Sequence, residues 1–319
     1  MDKFGILITE PQGYAEEAIL IYQKTGPVFL GYDSAVDSTT KKIIRALVVK
    51  FRYQLDDVFL AGFPFLKYIV SPTTGLNHID LDYCSSRHIK VLSLKHEVSF
   101  LKSLSSTAEL TFGLIIALTR NIIGAHNDVA VNHRWNRETF KGRELSFLRL
   151  GVLGFGRLGQ KVASYGRAFG MNVTACDPFI EKDYMESKGV TACSQEKLFL
   201  NSDIVSIHIP FNRANKLLVS RPYIMAMPKA SFLVNTSRGE ILDEKAVLEC
   251  LESGHLAGAS LDVISDEHRI HDWKQHPLIQ YARVHQNLIL TPHIGGCTQE
   301  AMERAEVFMA RKLSFEILA

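Results

Sequence analysis

The chain has 319 residues, more than one hydrophobic core usually supports, so we expect two domains. Its 36 Lys and Arg residues nearly balance 34 Asp and Glu residues, which argues against a nucleic-acid partner. Hydrophobic residues make up 46% of the sequence and charged residues 22%, as in an ordinary globular protein.

The first third of the chain alternates short apolar runs with amphipathic stretches. Strands are predicted at 4–9, 28–32, 46–49, 66–70 and 90–94. Helical patterns lie between some of them, as at 15–23 and 38–44. This alternation predicts a parallel sheet covered by helices on both faces.

The stretch 101–123 carries no strand signal and predicts one long helix, with a polar start at 105–109 that resembles a capped N-terminus. Its most apolar part, 110–118, is too short to cross a bilayer, so we expect no membrane partner. A second alternating series follows the helix. Its strands are predicted at 149–153, 172–176, 203–209, 231–235, 258–263 and 287–290. Two such series predict two α/β domains.

The cysteines suggest a reducing compartment. There are five, an odd number, and no two of them form a CxxC pair, which argues against a disulfide framework and against a zinc site. The first residues predict a strand rather than a signal peptide. We therefore expect a cytoplasmic protein without a metal.

The segment from 150 to 177 carries the strongest local motif. Gly154, Gly156 and Gly159 follow an apolar strand and open a helix, and Asp177 ends the next strand, 23 positions after Gly154. This order is typical of a dinucleotide-binding turn, in which glycines admit the pyrophosphate and the acid accepts hydrogen bonds from the ribose hydroxyls. The charge of Asp177 would repel a 2′-phosphate, so NAD is favoured over NADP. The alternative is a glycine-rich turn of an α/β sheet without a ligand.

Three later segments, 235–240, 261–267 and 290–296, also lie at predicted strand ends, where ligands of open α/β sheets bind. Together with the glycine turn they closely resemble the D-isomer-specific 2-hydroxyacid dehydrogenase family. The resemblance implies two doubly wound parallel-sheet α/β domains. A Rossmann-type NAD domain at 99–292 is inserted into a smaller, flavodoxin-like substrate domain formed by 1–98 and 293–319. The active site would lie in the cleft between them.

The resemblance also implies a catalytic set. Arg238 matches the arginine that binds the substrate carboxylate, His293 the acid/base, and Glu267 the carboxylate that holds this histidine. The family usually has proline directly after this acid, whereas this chain has His268, so the adjacent Asp266 is an alternative to Glu267. The chemistry is coherent, because a guanidinium can grip a carboxylate with two hydrogen bonds and an imidazole can exchange a proton near neutral pH.

Further cofactor contacts follow from the same resemblance. The implied NAD-binding residues are Gly154, Gly156, Arg157, Leu158, Gly159, Asp177, Thr236, Ser237, Arg238, Asp262, His293 and Gly296. The remaining histidines of the stretch 269–285 are interpreted as loop residues and not as metal ligands.

The substrate side is predicted in the first domain. The resemblance implies that backbone amides near Thr74 and Gly75 bind the substrate carboxylate. Lys50 and Arg52 follow a predicted strand and would share one face if the strand continues, which could bind a phosphate or a second acidic group. The alternative for this pair is a solvated basic strand end.

The leading prediction is an NAD-dependent, phosphoglycerate dehydrogenase-like oxidoreductase that interconverts a D-2-hydroxy acid, with 3-phosphoglycerate among the candidates, and its 2-oxo acid. A reductase acting on glyoxylate, hydroxypyruvate or a sugar acid, and a non-catalytic NAD(H)-sensing protein like some corepressors of the family, stay open. The long helix carries an apolar face formed by Leu110, Leu114, Ile115 and Leu118. The resemblance implies that this helix, with its neighbours, is a homodimer contact to which this face would contribute, and the alternative is that the face packs within one subunit.

Overall fold

The computed structural model describes residues 4–318, without the side chains of Ser34, Ala35, His268 and Leu318. The chain forms two compact units. One contains the described residues up to Leu104 and those from Cys297 onward, and the other contains Ser105–Gly296.

The first unit is built on a parallel sheet. Within the described residues its strands are β1 (Gly5–Ile8), β2 (Val28–Leu30), β3 (Ile44–Val48), β4 (Tyr68–Ser71) and β5 (Lys90–Ser93), in the order β2-β1-β3-β4-β5. The helices of this part are α1 (Glu16–Thr25), α2 (Tyr32–Ala35), α3 (Ser38–Ile43), α4 (Asp57–Ala61), α5 (Leu81–Ser86) and α6 (Val98–Lys102). Ile6 and Ile8 enter one hydrophobic cluster and Leu7 the other, so both faces of the sheet are buried.

The second unit contains a larger parallel sheet. Its strands are β6 (Arg149–Leu153), β7 (Asn172–Cys176), β8 (Thr191–Ala192), β9 (Ile204–Ile207), β10 (Ser231–Asn235), β11 (Leu256–Leu261) and β12 (Leu288–Leu290), in the order β12-β11-β10-β9-β6-β7-β8. Its helices are α7 (Ser106–Thr119), α8 (Ile122–Ala130), α9 (Arg157–Ala168), α10 (Lys182–Ser187), α11 (Gln195–Asn201), α12 (Arg221–Ala226), α13 (Glu244–Glu252) and α14 (Pro277–Ala282). The last helix, α15 (Gln299–Leu318), packs on α1 in the first unit.

Each sheet has one point at which the strand order reverses. In the first unit it lies between β1 and β3, and in the second between β6 and β9. Open α/β sheets bind ligands outside the carboxyl ends of their strands at such points. The fold therefore predicts that ligands bind at the loops after these strands.

The predicted fold class, two doubly wound parallel-sheet α/β domains, is confirmed, and the strands at 149–153, 172–176 and 231–235 have the predicted bounds. The short strand β8 was not predicted. The prediction of a single long helix at 101–123 is wrong. The helix is interrupted between α6 and α7 and again at Asn121, whose backbone is left-handed with φ 53°. Ser105 precedes α7, but its hydroxyl accepts a hydrogen bond from Lys161 Nζ at 2.9 Å instead of capping the helix.

The apolar face of α7 is a core face. Leu114, Ile115 and Leu118 are at most 5% exposed, and Leu110 packs against the same cluster. The prediction that these residues form a dimer contact is therefore wrong, since they are used within the subunit. By length and composition alone, Val98–Thr119 could cross a membrane. This stretch is longer than the apolar part at 110–118 that was considered from the sequence. Half of the residues of α7 are buried, and they pack in a hydrophobic cluster of the second unit.

Candidate active site

The glycine turn lies between β6 and α9, at the switch point of the second sheet. Gly154 has φ 92°, and a Cβ there would lie 2.7 Å from the carbonyl oxygen of His208. A Cβ on Gly159 would overlap the carbonyl oxygen of Gly154, so the helix can approach the turn only without a side chain. By contrast, a Cβ on Gly156 would meet no atom within 4 Å. Gly154 and Gly159 thus shape the turn, and Gly156 leaves its backbone open to a ligand.

Asp177 lies beside this turn, as its spacing predicts. Its Oδ2 accepts a hydrogen bond from Phe155 N at 2.8 Å, and its Oδ1 accepts one from Phe179 N at 2.9 Å. The carboxylate therefore fixes the turn. A carboxylate has about four lone-pair sites, so acceptors remain for ribose hydroxyls.

His208 is a residue of this site that the sequence analysis missed. It follows β9, its Nε2 shares a hydrogen bond of 2.8 Å with Ser206 Oγ, and desolvation lowers its pKa to about 3. Its Nδ1 is buried and has no hydrogen-bond partner within residues 4–318. The signal that could have identified it is a polar residue directly after a strand that neighbours the glycine turn.

These features fit a dinucleotide. The amides at the start of α9 belong to Gly156, Arg157 and Leu158, and a helix N-terminus favours phosphate. Burial lowers the pKa of the Arg157 guanidinium. The cradle at Gly156 and the unpartnered Nδ1 of His208 are both features that a bound NAD could complete.

The remaining predicted cofactor contacts follow the strands on the other side of the switch point. Thr236 comes directly after β10, is 6% exposed, and its Oγ1 lies 2.8 Å from Thr111 Oγ1. Ser237 donates from both its amide and its hydroxyl to Asn235 Oδ1, at 3.0 and 2.7 Å. Gly296 is exposed at the end of the second unit, and a Cβ there would meet no atom within 4 Å.

His293 and Glu267 are in direct contact. His293 follows β12 with φ 53°, its amide donates to the Asp262 carbonyl at 2.9 Å, and its Nδ1 is hydrogen-bonded to Glu267 Oε1. Asp266 instead forms an ion pair with Arg269, with 3.8 Å between Asp266 Oδ1 and Arg269 Nη1. Of the two acids that the sequence left open, the structure brings Glu267 to the histidine.

Asp262 holds the loop that carries His293. Its Oδ1 accepts hydrogen bonds from Thr291 Oγ1 and from Ile294 N at 2.9 Å, and its Oδ2 accepts one from Gly295 N at 2.9 Å. Burial raises its pKa, and these three bonds oppose the rise. The carboxylate thereby ties residues on both sides of His293 to the end of β11, a role that motif matching did not reveal.

Arg238 is held at the end of β10 by the backbone. Asn235 Nδ2 donates to the Arg238 carbonyl at 2.9 Å, and Arg238 Nη1 donates to the Ser237 carbonyl at 2.6 Å. Burial lowers the pKa of the guanidinium, while the charges of Glu267 and Glu240 raise it. Three adjacent strands, β10, β11 and β12, are therefore followed by Arg238, Glu267 and His293 in turn. The charge of Glu267 acts on Arg238, and its carboxylate contacts His293.

The loop of Glu267 is itself positioned by Glu244, which the sequence analysis missed. Glu244 begins α13, and its Oε1 accepts a hydrogen bond from Ser265 N at 2.6 Å, two residues before Glu267. A Cβ on Gly239 would overlap Ser265 N, so this glycine lets the Arg238 loop lie against the same segment. Glu244 is thus a positioning residue for the acid that contacts His293.

We expect Glu244→Ala to lower kcat about 10–100-fold, because a displaced Glu267 would misorient the histidine. Glu244→Gln keeps an oxygen acceptor and should retain most activity. Burial raises the pKa of Glu244, so acidification protonates it earlier than an ordinary glutamate and weakens its bond to Ser265. The acid-side loss of kcat should therefore move to lower pH in Glu244→Gln. Equal, pH-independent losses in both variants would contradict this role, and Glu249→Gln on the same helix is the control.

The first unit holds the predicted substrate residues. Thr73 Oγ1 donates to the Gly75 carbonyl at 2.8 Å and shapes the loop after β4, in which Thr74 is exposed. Strand β3 ends at Val48, so the condition under which Lys50 and Arg52 would share one strand face is not met. Glu10 nevertheless brings them together, because its carboxylate accepts hydrogen bonds from Lys50 N at 2.6 Å and from Arg52 N at 2.9 Å.

The arrangement agrees with comparisons to known proteins. Residues 112–295 match the family described as D-isomer specific 2-hydroxyacid dehydrogenase, NAD binding domain. D-3-phosphoglycerate dehydrogenase of Methanocaldococcus jannaschii is 33% identical over 311 residues, which are 97% of this chain and 56% of that protein. The corresponding enzyme of Bacillus subtilis is 33% identical over 86% of this chain and 49% of its own length. The chain thus spans about half the length of these relatives.

A solved structure is similar over nearly its whole length. D-lactate dehydrogenase from Aquifex aeolicus, complexed with NAD and lactic acid, is 28% identical with a TM-score of 0.81. The match covers 98% of this chain and 95% of that one.

Proposed function

The chain belongs to the D-isomer specific 2-hydroxyacid dehydrogenase family, and from this we propose that it is an NAD-dependent enzyme that interconverts a D-2-hydroxy acid and its 2-oxo acid. The observation that carries the proposal is the contact of His293 Nδ1 with Glu267, in the electrostatic neighbourhood of Arg238. Nucleotide binding alone requires no such set. An acid/base, a group that orients it and a cation for a carboxylate are what this oxidation needs.

Each residue then has a defined task. The fork of Arg238 binds the substrate carboxylate through paired hydrogen bonds and so fixes the orientation of the reacting carbon. Because His293 Nδ1 is bound to Glu267, Nε2 is the nitrogen that exchanges a proton with the substrate oxygen. NAD, when bound, supplies the group that accepts or returns the hydride.

We propose that the cofactor is held by the glycine turn, by the amides of Arg157 and Leu158, and by Asp177. Thr236, Ser237, Asp262 and Gly296 complete the set at the ends of the neighbouring strands. In the first unit, the loop at Thr74 and Gly75 binds the substrate carboxylate, and Lys50 and Arg52 border the rest of the substrate.

Replacing Asp177 with alanine should weaken NADH binding about tenfold or more, through the loss of charged hydrogen bonds to the ribose. Binding of NADPH should weaken less, because the repulsion of its 2′-phosphate is removed as well. Titration of both nucleotides by fluorescence tests this, with Asp183→Ala as an exposed control. Unchanged NADH affinity in Asp177→Ala would contradict the cofactor assignment.

We further propose a cytoplasmic homodimer. Apolar residues that are 42–89% exposed lie on α8 and directly after it: Ile122, Ile123, Val129, Val131 and Trp135. Several exposed apolar side chains in one segment favour a protein contact. Sedimentation of the chain and of a Val131→Asp, Trp135→Ser variant would test it, and a monomeric wild-type chain would contradict it.

A steady-state assay of NADH oxidation with glyoxylate, pyruvate, hydroxypyruvate and other 2-oxo acids tests the activity. We expect turnover that requires His293. Tight NADH binding without turnover of any 2-oxo acid would refute the proposal in favour of a nucleotide-sensing protein.

A further inference from the structure

A cavity of about 430 Å³ lies at the carboxyl ends of β1, β2 and β3, at the switch point of the first unit's sheet. This volume suits a small ligand, since such sites usually enclose about 300–1,000 Å³. The loop at Thr74 and Gly75 follows β4, which neighbours β3 at the same edge of the sheet. A substrate whose carboxylate is bound by that loop would therefore have its tail next to this cavity.

Both cations of the cavity are already paired with acids of the same unit. Lys50 Nζ lies 2.7 Å from Glu306 Oε1, and Glu306 is only 1% exposed. Its other oxygen accepts a hydrogen bond from Ala15 N at 2.7 Å. Arg52 Nη2 lies 3.4 Å from Asp33 Oδ2, which also accepts a hydrogen bond from Tyr53 Oη at 3.0 Å.

The local charge is therefore not positive. Glu10, Asp33 and Glu306 provide more negative charge than Lys50 and Arg52 can cancel. A phosphate dianion would have to draw Lys50 away from Glu306, which would leave a buried carboxylate without its counter-ion. The uncharged polar groups that line the cavity, among them Gln12 and Tyr32, can instead form hydrogen bonds with hydroxyls.

We propose that this cavity accepts the uncharged, hydroxyl-bearing tail of an unphosphorylated 2-oxo acid, and that Glu306 and Asp33 exclude phosphorylated substrates by neutralising Lys50 and Arg52. The proposal rests on the dehydrogenase function proposed above.

The sharpest test uses two substrates that differ only by the phosphate, hydroxypyruvate and 3-phosphohydroxypyruvate. Initial rates of NADH oxidation give kcat/KM for each with the full chain. We expect hydroxypyruvate to be preferred at least about tenfold, because like charges brought together in a site are strongly unfavourable.

Two variants test the cause. Glu306→Gln removes the buried charge without changing the shape of the side chain, and Asp33→Asn does the same at the exposed pair. Each should move the kcat/KM ratio toward the phosphorylated substrate, by about tenfold for Glu306→Gln. Glu316→Gln, on the same helix and paired with Lys90, is the control and should leave the ratio unchanged. Because Asp33 is exposed, Asp33→Asn stays informative even if Glu306→Gln fails to fold.

A wild-type preference for 3-phosphohydroxypyruvate would overturn the inference, as would turnover confined to pyruvate. An unchanged ratio in both variants would overturn the roles of Glu306 and Asp33. Absence of turnover with every 2-oxo acid would instead refute the proposed function itself.

Discussion

His293→Asn should lower kcat for the reduction of a 2-oxo acid about 10³-fold, the usual contribution of a positioned acid/base. Asparagine can still accept or donate a hydrogen bond toward Glu267, but it cannot exchange a proton near neutral pH. The loop itself should persist, since Asp262 binds Thr291, Ile294 and Gly295 on both sides of the substituted residue. NADH affinity should therefore change far less than kcat.

The measurement is kcat together with NADH affinity from fluorescence titration. His271→Asn is a matched control, because His271 is an exposed residue of the stretch 269–285. A variant of His293 that keeps more than a tenth of wild-type kcat would remove this histidine from the proposed chemistry. A collapse of NADH affinity alongside kcat would indicate damage to the nucleotide site instead.

Arg238→Lys should lower kcat/KM about 10²–10⁴-fold, although the positive charge is kept. Lysine offers a single ammonium where the guanidinium presents a planar fork, so one of two hydrogen bonds to the substrate carboxylate is lost and its orientation is no longer fixed. The reacting carbon would then be misplaced, and kcat should fall as well as KM rise.

Arg221→Lys is the control for this substitution, because Arg221 forms an exposed ion pair with Glu249 on α12 and α13. Comparing pyruvate with a neutral analogue, such as its amide, separates charge recognition from folding. If Arg238→Lys discriminates between the acid and the amide as well as the wild-type chain does, Arg238 does not bind the carboxylate.

The features of the fold and of the site that are set by local sequence patterns could be predicted from the sequence. Gly154, Gly156 and Gly159 have fixed spacing because a tight turn, an open backbone and a close helix contact each require glycine at one position. The strands beside them are continuous apolar runs because both faces of a parallel sheet are buried. The dinucleotide turn and the fold class followed from these local constraints.

Other features depend on contacts between residues distant in sequence. Glu244 binds Ser265 across 21 positions, and Lys50 meets Glu306 from opposite ends of the chain. From the sequence, Lys50 and Arg52 suggested an anion site, because their pairing with Glu306 and Asp33 cannot be inferred from local pattern. Periodicity likewise showed that α7 has an apolar face but not whether a core or a second subunit covers it.

We expect hydride to pass from NADH to one face of a 2-oxo acid bound by the chain, which gives the D-hydroxy acid. The most direct test is the configuration of the product. Hydroxypyruvate or pyruvate is reduced with NADH to completion, and the glycerate or lactate formed is resolved by chiral chromatography. We expect the D enantiomer alone. An L or racemic product, or none with an intact fold and bound NADH, would contradict the account.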